Sequence, residues 1–503
     1  MRAKNAAKNL IIYFIYEAFV FALGIIFPRF IILTYGSEIN GLTSTITRLL
    51  SLINLIQAGA VGAAIYQMYK PVADDDYETQ SAILYTSNKF YSKITVIYLG
   101  IAISAGIFYG FYLASEQLKT IEIILSFVIL AINGSFEFVF TARTDIYLSP
   151  HQKKYYVILS SILNQVVRYS LTVLVLILHM HFLFLYIAIL IGGIVGAACN
   201  LYFYRKKSKG LITNNPKNKN YPIPDRKYLM MASVGTQAIT ASPSVIITTI
   251  LGLKYASVFS IYFMVYTSLY TILNSIQLSV SAIFGNLVAS NDDTKIFKAY
   301  DAISLLTFIL GAVLTTCAAV MFMPFISNYT SGVTDINYIY RILSFLIVAY
   351  ISLFTIETSY AYVATVYGYF KQICHITIIS GVIGMIISAV CVVLFGMPYV
   401  MIGLLVNELS NVILKCYIIK KNNKWFDLSC LVRRIVFLFA IVVVGCVLSN
   451  VPFFQVIGWL NWIKNGVVIL LISISITLFY CFTCENNTTR RLFDYVKHVV
   501  KRG

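Results

Sequence analysis

Long apolar stretches follow one another along almost the whole of this chain, separated by short polar segments rich in Lys, Asn, Asp and Pro. A helix needs about 20 apolar residues to cross the roughly 30 Å hydrocarbon core of a bilayer. Windows of that length predict about fourteen membrane-spanning helices, beginning near residues 10–34 and 40–69 and ending near 431–449 and 463–483. The expected fold class is therefore all-α, a polytopic membrane protein. The first window, LIIYFIYEAFVFALGIIFPRFIIL, is too long for the apolar core of a signal peptide and has no small-residue cleavage site after it, so it is expected to stay in the mature chain.

The polar segments divide the pattern further. Between the sixth and seventh windows runs YRKKSKGLITNNPKNKNYPIPDRKY, the longest polar stretch, which reads as a linker. On either side of it the sequence echoes itself at an offset of 216 positions: Gly36 corresponds to Gly252, and the acidic VADDD of residues 72–76 to the VASND of 288–292. Six helices per copy give both copies the same topology, a parallel repeat. The expected organisation is a six-helix lobe over 1–204, a basic linker over 205–227, a second six-helix lobe over 228–420, and two additional helices with a basic tail over 421–503. Because the second copy replaces two of the three carboxylates with Ser290 and Asn291, the acidic segment is expected to be a solvated loop, not a catalytic cluster.

Composition agrees with the pattern. With 59% hydrophobic residues, 12% charged residues and a mean hydropathy of +0.81, a chain of 503 residues carries more apolar side chain than a soluble core of that size can bury. Most of the 38 Lys and Arg fall on one side if the N-terminus is cytoplasmic, which places both termini inside. The net charge of +18 is mostly this asymmetry, so no nucleic-acid partner is implied. All nine Cys lie after position 198, mostly within helices, where they pack as small apolar residues. Cys481 and Cys484 form a C-x-x-C without a second pair, and His179 and His181 flank an outer turn without a third ligand, so no metal site is expected. No phosphate-binding loop or hydrolase signature is present, which implies neither a cofactor nor a catalytic residue and argues against an enzyme. Tyrosines cluster near helix ends, where interfacial anchoring is the expected role.

Charges inside the spans carry the chemistry. Arg29, Arg48 and Arg168 lie well within predicted helices, and each costs roughly 2.5–3.5 kcal/mol to insert unless water or an anion meets it. A turn near Ser37 places Arg29 and Arg48 on the order of 12–16 Å below it on two helices. A hydrated cationic cavity is the simplest explanation, and the planar donor fork of Arg suits phosphate oxygens. Two alternatives stay open: Arg29 snorkelling to the outer interface, and Arg168 held in a network with Asn164 and Gln165. Glu17, Glu357 and Glu408 are candidates for ion pairing or for a protonatable coupling site. Glu137 and Asp145 are expected near the inner surface in contact with solvent.

The fourteen-helix pattern, the repeat, the GSEINGL of residues 36–42 and the QAGAVGAAIYQMY of 57–69 resemble the polysaccharide-flippase (Wzx-like) branch of the multidrug/oligosaccharidyl-lipid/polysaccharide exporter superfamily. The resemblance implies a flippase of the bacterial cytoplasmic membrane that carries a polyprenyl-diphosphate-linked oligosaccharide from the inner to the outer leaflet by alternating access. It also implies a polysaccharide polymerase and a chain-length regulator as partners. Arg29 and Arg48 match the cationic positions that bind the diphosphate in that family; Arg168, from its depth in the fifth helix, is a third candidate for the diphosphate. The tail of the cargo is expected to lie in lipid, with the two additional helices helping to accommodate it. The positions equivalent to Arg29 and Arg48 in the second copy are Val245 and Met264, which disfavours a peptidoglycan-precursor flippase. The competing readings are a cation-coupled drug or metabolite antiporter of the same superfamily, and a membrane polymerase or glycosyltransferase, for which the chain lacks a long external loop.

Overall fold

The computed structural model of the chain describes residues 2–115, 118–213, 226–288, 293–423, 429–449 and 458–486, with isolated positions between and after them. It packs as two compact units, Met1–Ser257 and Val258–Gly503. In the first unit, α1 (Arg2–Ala73) is followed by α2 (Tyr77–Tyr112) and α3 (Thr120–Phe136). One π-helical turn, Glu137–Thr141, then leads into α4 (Ala142–Leu148), α5 (Tyr155–Ile177), α6 (Leu183–Ser208) and α7 (Arg226–Leu251). Helix α8 (Leu253–Val288) begins in the first unit and runs into the second, which continues through α9 (Asp293–Tyr329), α10 (Arg341–Thr358), the short α11 (Ala361–Val366) and α12 (Phe370–Phe395). It ends with α13 (Val400–Asn422), α14 (Ser429–Leu448) and α15 (Trp459–Cys484). Among the described residues there is no strand.

Among the described residues twelve helices are long and apolar enough to cross a membrane, so the chain is a multi-pass membrane protein. Helix α1 holds the first two expected spans, of which Ile15–Leu52 covers most of the first and the start of the second, and the seventh expected span is met by the shorter apolar helix Ala238–Leu251. What separates the first two spans is one residue. Gly36 takes φ 83° and ψ 177°, a left-handed conformation that only glycine adopts without strain. Its partner in the repeat, Gly252, has φ 90° and divides α7 from α8 in the same way.

Close contact holds the second half of α1 in the first unit. A Cβ on Gly41 would collide with the backbone of Leu253, and Asn40 Nδ2 donates to Ser257 Oγ at 2.8 Å, while the hydroxyls of Thr45 and Thr248 meet at 2.6 Å. Small residues and side-chain hydrogen bonds are the usual means of packing helices where lipid supplies no hydrophobic drive.

The acidic segment is an exposed turn between α1 and α2. Asp76 caps α2 by accepting from Thr79 N at 3.0 Å, which accounts for one carboxylate structurally. Its second copy, 289–292, lies outside the described residues. Described parts of the linker run along α2: Thr213 N donates to Ser81 Oγ at 3.0 Å, Lys217 N to Glu78 Oε1 at 2.6 Å, and Tyr221 N to Thr86 Oγ1 at 3.0 Å.

Tyrosines depart from the expectation of interfacial anchoring. Tyr98, Tyr186, Tyr262, Tyr266, Tyr360 and Tyr362 are among the largest fully buried side chains. Several of their hydroxyls find partners inside the bundle, as when Tyr360 donates to Val412 O at 2.7 Å and Tyr262 to Tyr338 O at 2.8 Å, whereas that of Tyr98 has none. A phenol fills a core and can still satisfy its polar end.

Candidate functional site

The first unit carries Arg29, Arg48, Arg168 and Glu17, all half-buried. Because the break is the single residue Gly36, Arg29 starts about 10 Å and Arg48 about 18 Å along their helices from it, a wider spread than a turn near Ser37 implied. Arg168 sits on α5 with its guanidinium carbon 5.1 Å from the ring centroid of Tyr169. That ring is 4.2 Å from Phe27, two positions before Arg29, so a cation–π contact and an aromatic pair connect Arg168 to the stretch of α1 that carries Arg29.

Glycine makes the position of Arg168 possible. A Cβ at Gly192 on α6 would stand 2.8 Å from Arg168 Cβ and 2.8 Å from the carbonyl oxygen of Asn164, so α5 and α6 approach there without a side chain between them.

Asn164 and Gln165 line a polar chamber of about 240 Å³ together with Tyr16, Asn133, Glu137 and Asn200. Glu137 was expected in solvent near the inner surface. It is exposed, as expected, and from the π-helical turn it also borders this chamber; such turns are frequent at functional sites. Gln165 Oε1 and Asn200 Oδ1 are buried acceptors with no protein donor, so the chamber suits a guest that donates hydrogen bonds or carries positive charge. Glu17, one position after Tyr16, accepts from the hydroxyl of Tyr13.

In the second unit the structure brings two of the predicted carboxylates together and adds a residue the sequence reading missed. Glu357 on α10 and Glu408 on α13 are 8% and 5% exposed and lie close enough for each charge to act on the other. Lys415, two turns after Glu408 on the same face of α13, forms an ion pair with Glu357 Oε1. Tyr350 and Tyr266, whose ring centroids lie 5.2 Å apart, stand near Glu408, so the cluster has an aromatic wall. Two carboxylates face one ammonium. Glu408 Oε1 is buried without a hydrogen-bond donor, so one proton shared by the two carboxylates would close the charge.

A fourth buried arginine is a fastening. Arg434 on α14 is 1% exposed, donates to both carboxylate oxygens of Glu485 at 2.9 and 2.7 Å, and reaches Ser304 Oγ on α9 at 2.6 Å. It ties together three helices of the second unit, and its donors are satisfied. His181, in the turn between α5 and α6, pairs with Glu122 at 3.2 Å. Among the described residues no group of three or more His, Cys, Asp or Glu is placed to hold a metal.

No family model and no curated protein matches the chain. Solved structures do. An inward-facing multidrug resistance MATE family transporter of the MOP superfamily aligns over 84% of this chain and 95% of its own, at 14% identity and a TM-score of 0.66. The lipid II flippase MurJ in an inward closed conformation aligns over 93% of this chain and 99% of its own, at 16% identity and a TM-score of 0.63. The eukaryotic MATE transporter AtDTX14 aligns over 87% and 99%, at 13% identity and 0.59. These likenesses show a shared fold, that of the MATE transporters and MurJ.

Proposed function

We propose that this chain is a flippase that moves a polyprenyl-diphosphate-linked oligosaccharide, the repeat unit of a surface polysaccharide, from the inner to the outer leaflet of the bacterial cytoplasmic membrane by alternating access. The observation that carries the reading is Arg168, a half-buried guanidinium far inside a spanning helix and connected through Tyr169 and Phe27 to the segment of Arg29. A diphosphate brings negative charge that cannot cross about 30 Å of hydrocarbon unescorted, and arginines at depth lower that barrier. Arg48 supplies a third cation on the other side of the Gly36 break. The orientation that goes with this reading has both termini in the cytoplasm, and a polymerase and a chain-length regulator receive the product.

The triad of Glu357, Glu408 and Lys415 suits the driving ion. Taking up or releasing the proton between the carboxylates changes the buried charge by one and so gives two states of different solvation energy. This same observation supports the second reading, a cation-coupled drug or metabolite antiporter with the fold of the MATE transporters. The arginines favour the flippase, because a cationic wall repels cationic cargo.

Arg48→Ala is expected to abolish export of surface polysaccharide with the protein still in the membrane, and Arg48→Lys to keep part of it. A strain lacking the gene is expected to accumulate a lipid-linked glycan on the inner leaflet. Normal export by Arg48→Ala, or no such accumulation, refutes the assignment.

A further inference from the structure

We infer that the groove between α1 and α5 holds the head-proximal part of the cargo's isoprenoid chain while the diphosphate is at the arginines. This deepens the flippase reading and rests on it. The groove has a volume of about 670 Å³ and is almost wholly apolar. Leu23, Ile26 and Phe30 form one wall, and Val166, Val173 and Ile177 the other. Its floor is the pair Phe27 and Tyr169, of which Phe27 is only 7% exposed. From Val166 to Ile177 the groove follows α5 for about 16 Å.

An apolar groove alone fits any acyl chain. Depth and charge narrow the choice. The guanidinium beside Tyr169, at the floor of the groove, belongs to Arg168, which starts about 20 Å along α5 from Tyr155. An ordinary phospholipid keeps its phosphate at the interface, about 15 Å from the midplane, and does not bring it to that depth. The lipid that fills the groove and also meets this cation has a long apolar chain joined to an anion that itself crosses the membrane. A polyprenyl diphosphate in transit has that form.

The chain is already in hydrocarbon before it enters, so the groove adds little affinity and chiefly fixes where the chain leaves the headgroup. Contact, not affinity, is therefore the measurement. The full chain, with a photoreactive benzoylphenylalanine at position 173 or at position 471 on the outward face of α15, is placed in nanodiscs of phosphatidylglycerol and phosphatidylethanolamine with a trace of undecaprenyl diphosphate. Lipid adducts are then weighed by mass spectrometry. At position 173 undecaprenyl diphosphate is expected to exceed its share of the lipid about tenfold, equivalent to about 1.4 kcal/mol of preference. Position 471 is expected to show no enrichment, and Arg168→Ala to remove it at 173. A second reporter at position 166 guards against a misfolded first one.

Phospholipid adducts in proportion to abundance at 173 and 166, together with enrichment at 471, overturn the groove and leave the flippase standing, with its tail on the additional helices. Enrichment that survives Arg168→Ala overturns the argument from charge. No enrichment at any of the three positions, joined to no accumulation of lipid-linked glycan in the deletion strain, overturns both readings.

Discussion

Glu408→Gln isolates the proton of the buried triad. In the proton-bound form Glu357 is ionised against Lys415 and the second carboxyl donates to the first, so a glutamine amide at 408 reproduces both the charge and the donor. One neutral donor replaces another on the ionised Glu357, so the two bonds are expected to differ by no more than about 1 kcal/mol and the variant to unfold within about that margin of the parent. Lys415→Met is the contrast. It leaves two carboxylates, each less than a tenth exposed, without their cation, and breaking a buried pair in this way costs about 3–5 kcal/mol. Thermal unfolding in detergent orders the variants: parent and Glu408→Gln together, Lys415→Met well below. Function separates the first two. In proteoliposomes with a pH-sensitive dye inside, the parent is expected to couple cargo movement to proton flux, whereas Glu408→Gln is well folded but uncoupled, because its triad holds one charge state throughout. Glu408→Gln as unstable as Lys415→Met would mean that the second carboxylate is ionised, and retained proton coupling would place the driving site elsewhere.

Three further outcomes follow from particular contacts. Gly192→Val puts a branched side chain where a Cβ already stands 2.8 Å from Arg168 Cβ, so it is expected to lose about 1–3 kcal/mol of thermal stability through overpacking, and to reduce export more than the same change at the open Gly24. Arg434→Met strands the carboxylate of Glu485 and is expected to lower stability by about 3–5 kcal/mol, with Arg434→Met combined with Glu485→Gln recovering most of it in the same unfolding assay. The side chain and then the backbone N–H of Thr79 hold the Asp76 carboxyl below its usual range, so its cap is complete above the unfolded-state value and is lost as pH falls through the lower folded one. Hydrogen exchange in the first turn of α2 is expected to quicken over that acidic window and to be independent of pH there, apart from the intrinsic rate, in Asp76→Ala.

Much of the fold was legible because a bilayer imposes its thickness on the sequence. An apolar run near 20 residues has one economical structure in lipid, so each expected span coincides with helix, and the repeat was readable because Gly36 and Gly252 are needed for the same left-handed turn. The sites were less legible, since a spanning sequence reveals depth but not azimuth. Arg168 was conspicuous as a charge, yet that its guanidinium would lie beside the ring of Tyr169 could not be read from depth alone. Lys415 was overlooked because its place near the end of α13 reads as an ordinary inner-face lysine. The spacing of seven from Glu408 was the available signal, for it puts both on one helical face, and a carboxylate on that face leaves a lysine two turns away with a reason to turn inward. Arg434 escaped in the same way: four positions into α14 it resembles an interfacial charge, and its partner Glu485 follows the far end of α15, so proximity in space had no trace in the sequence pattern.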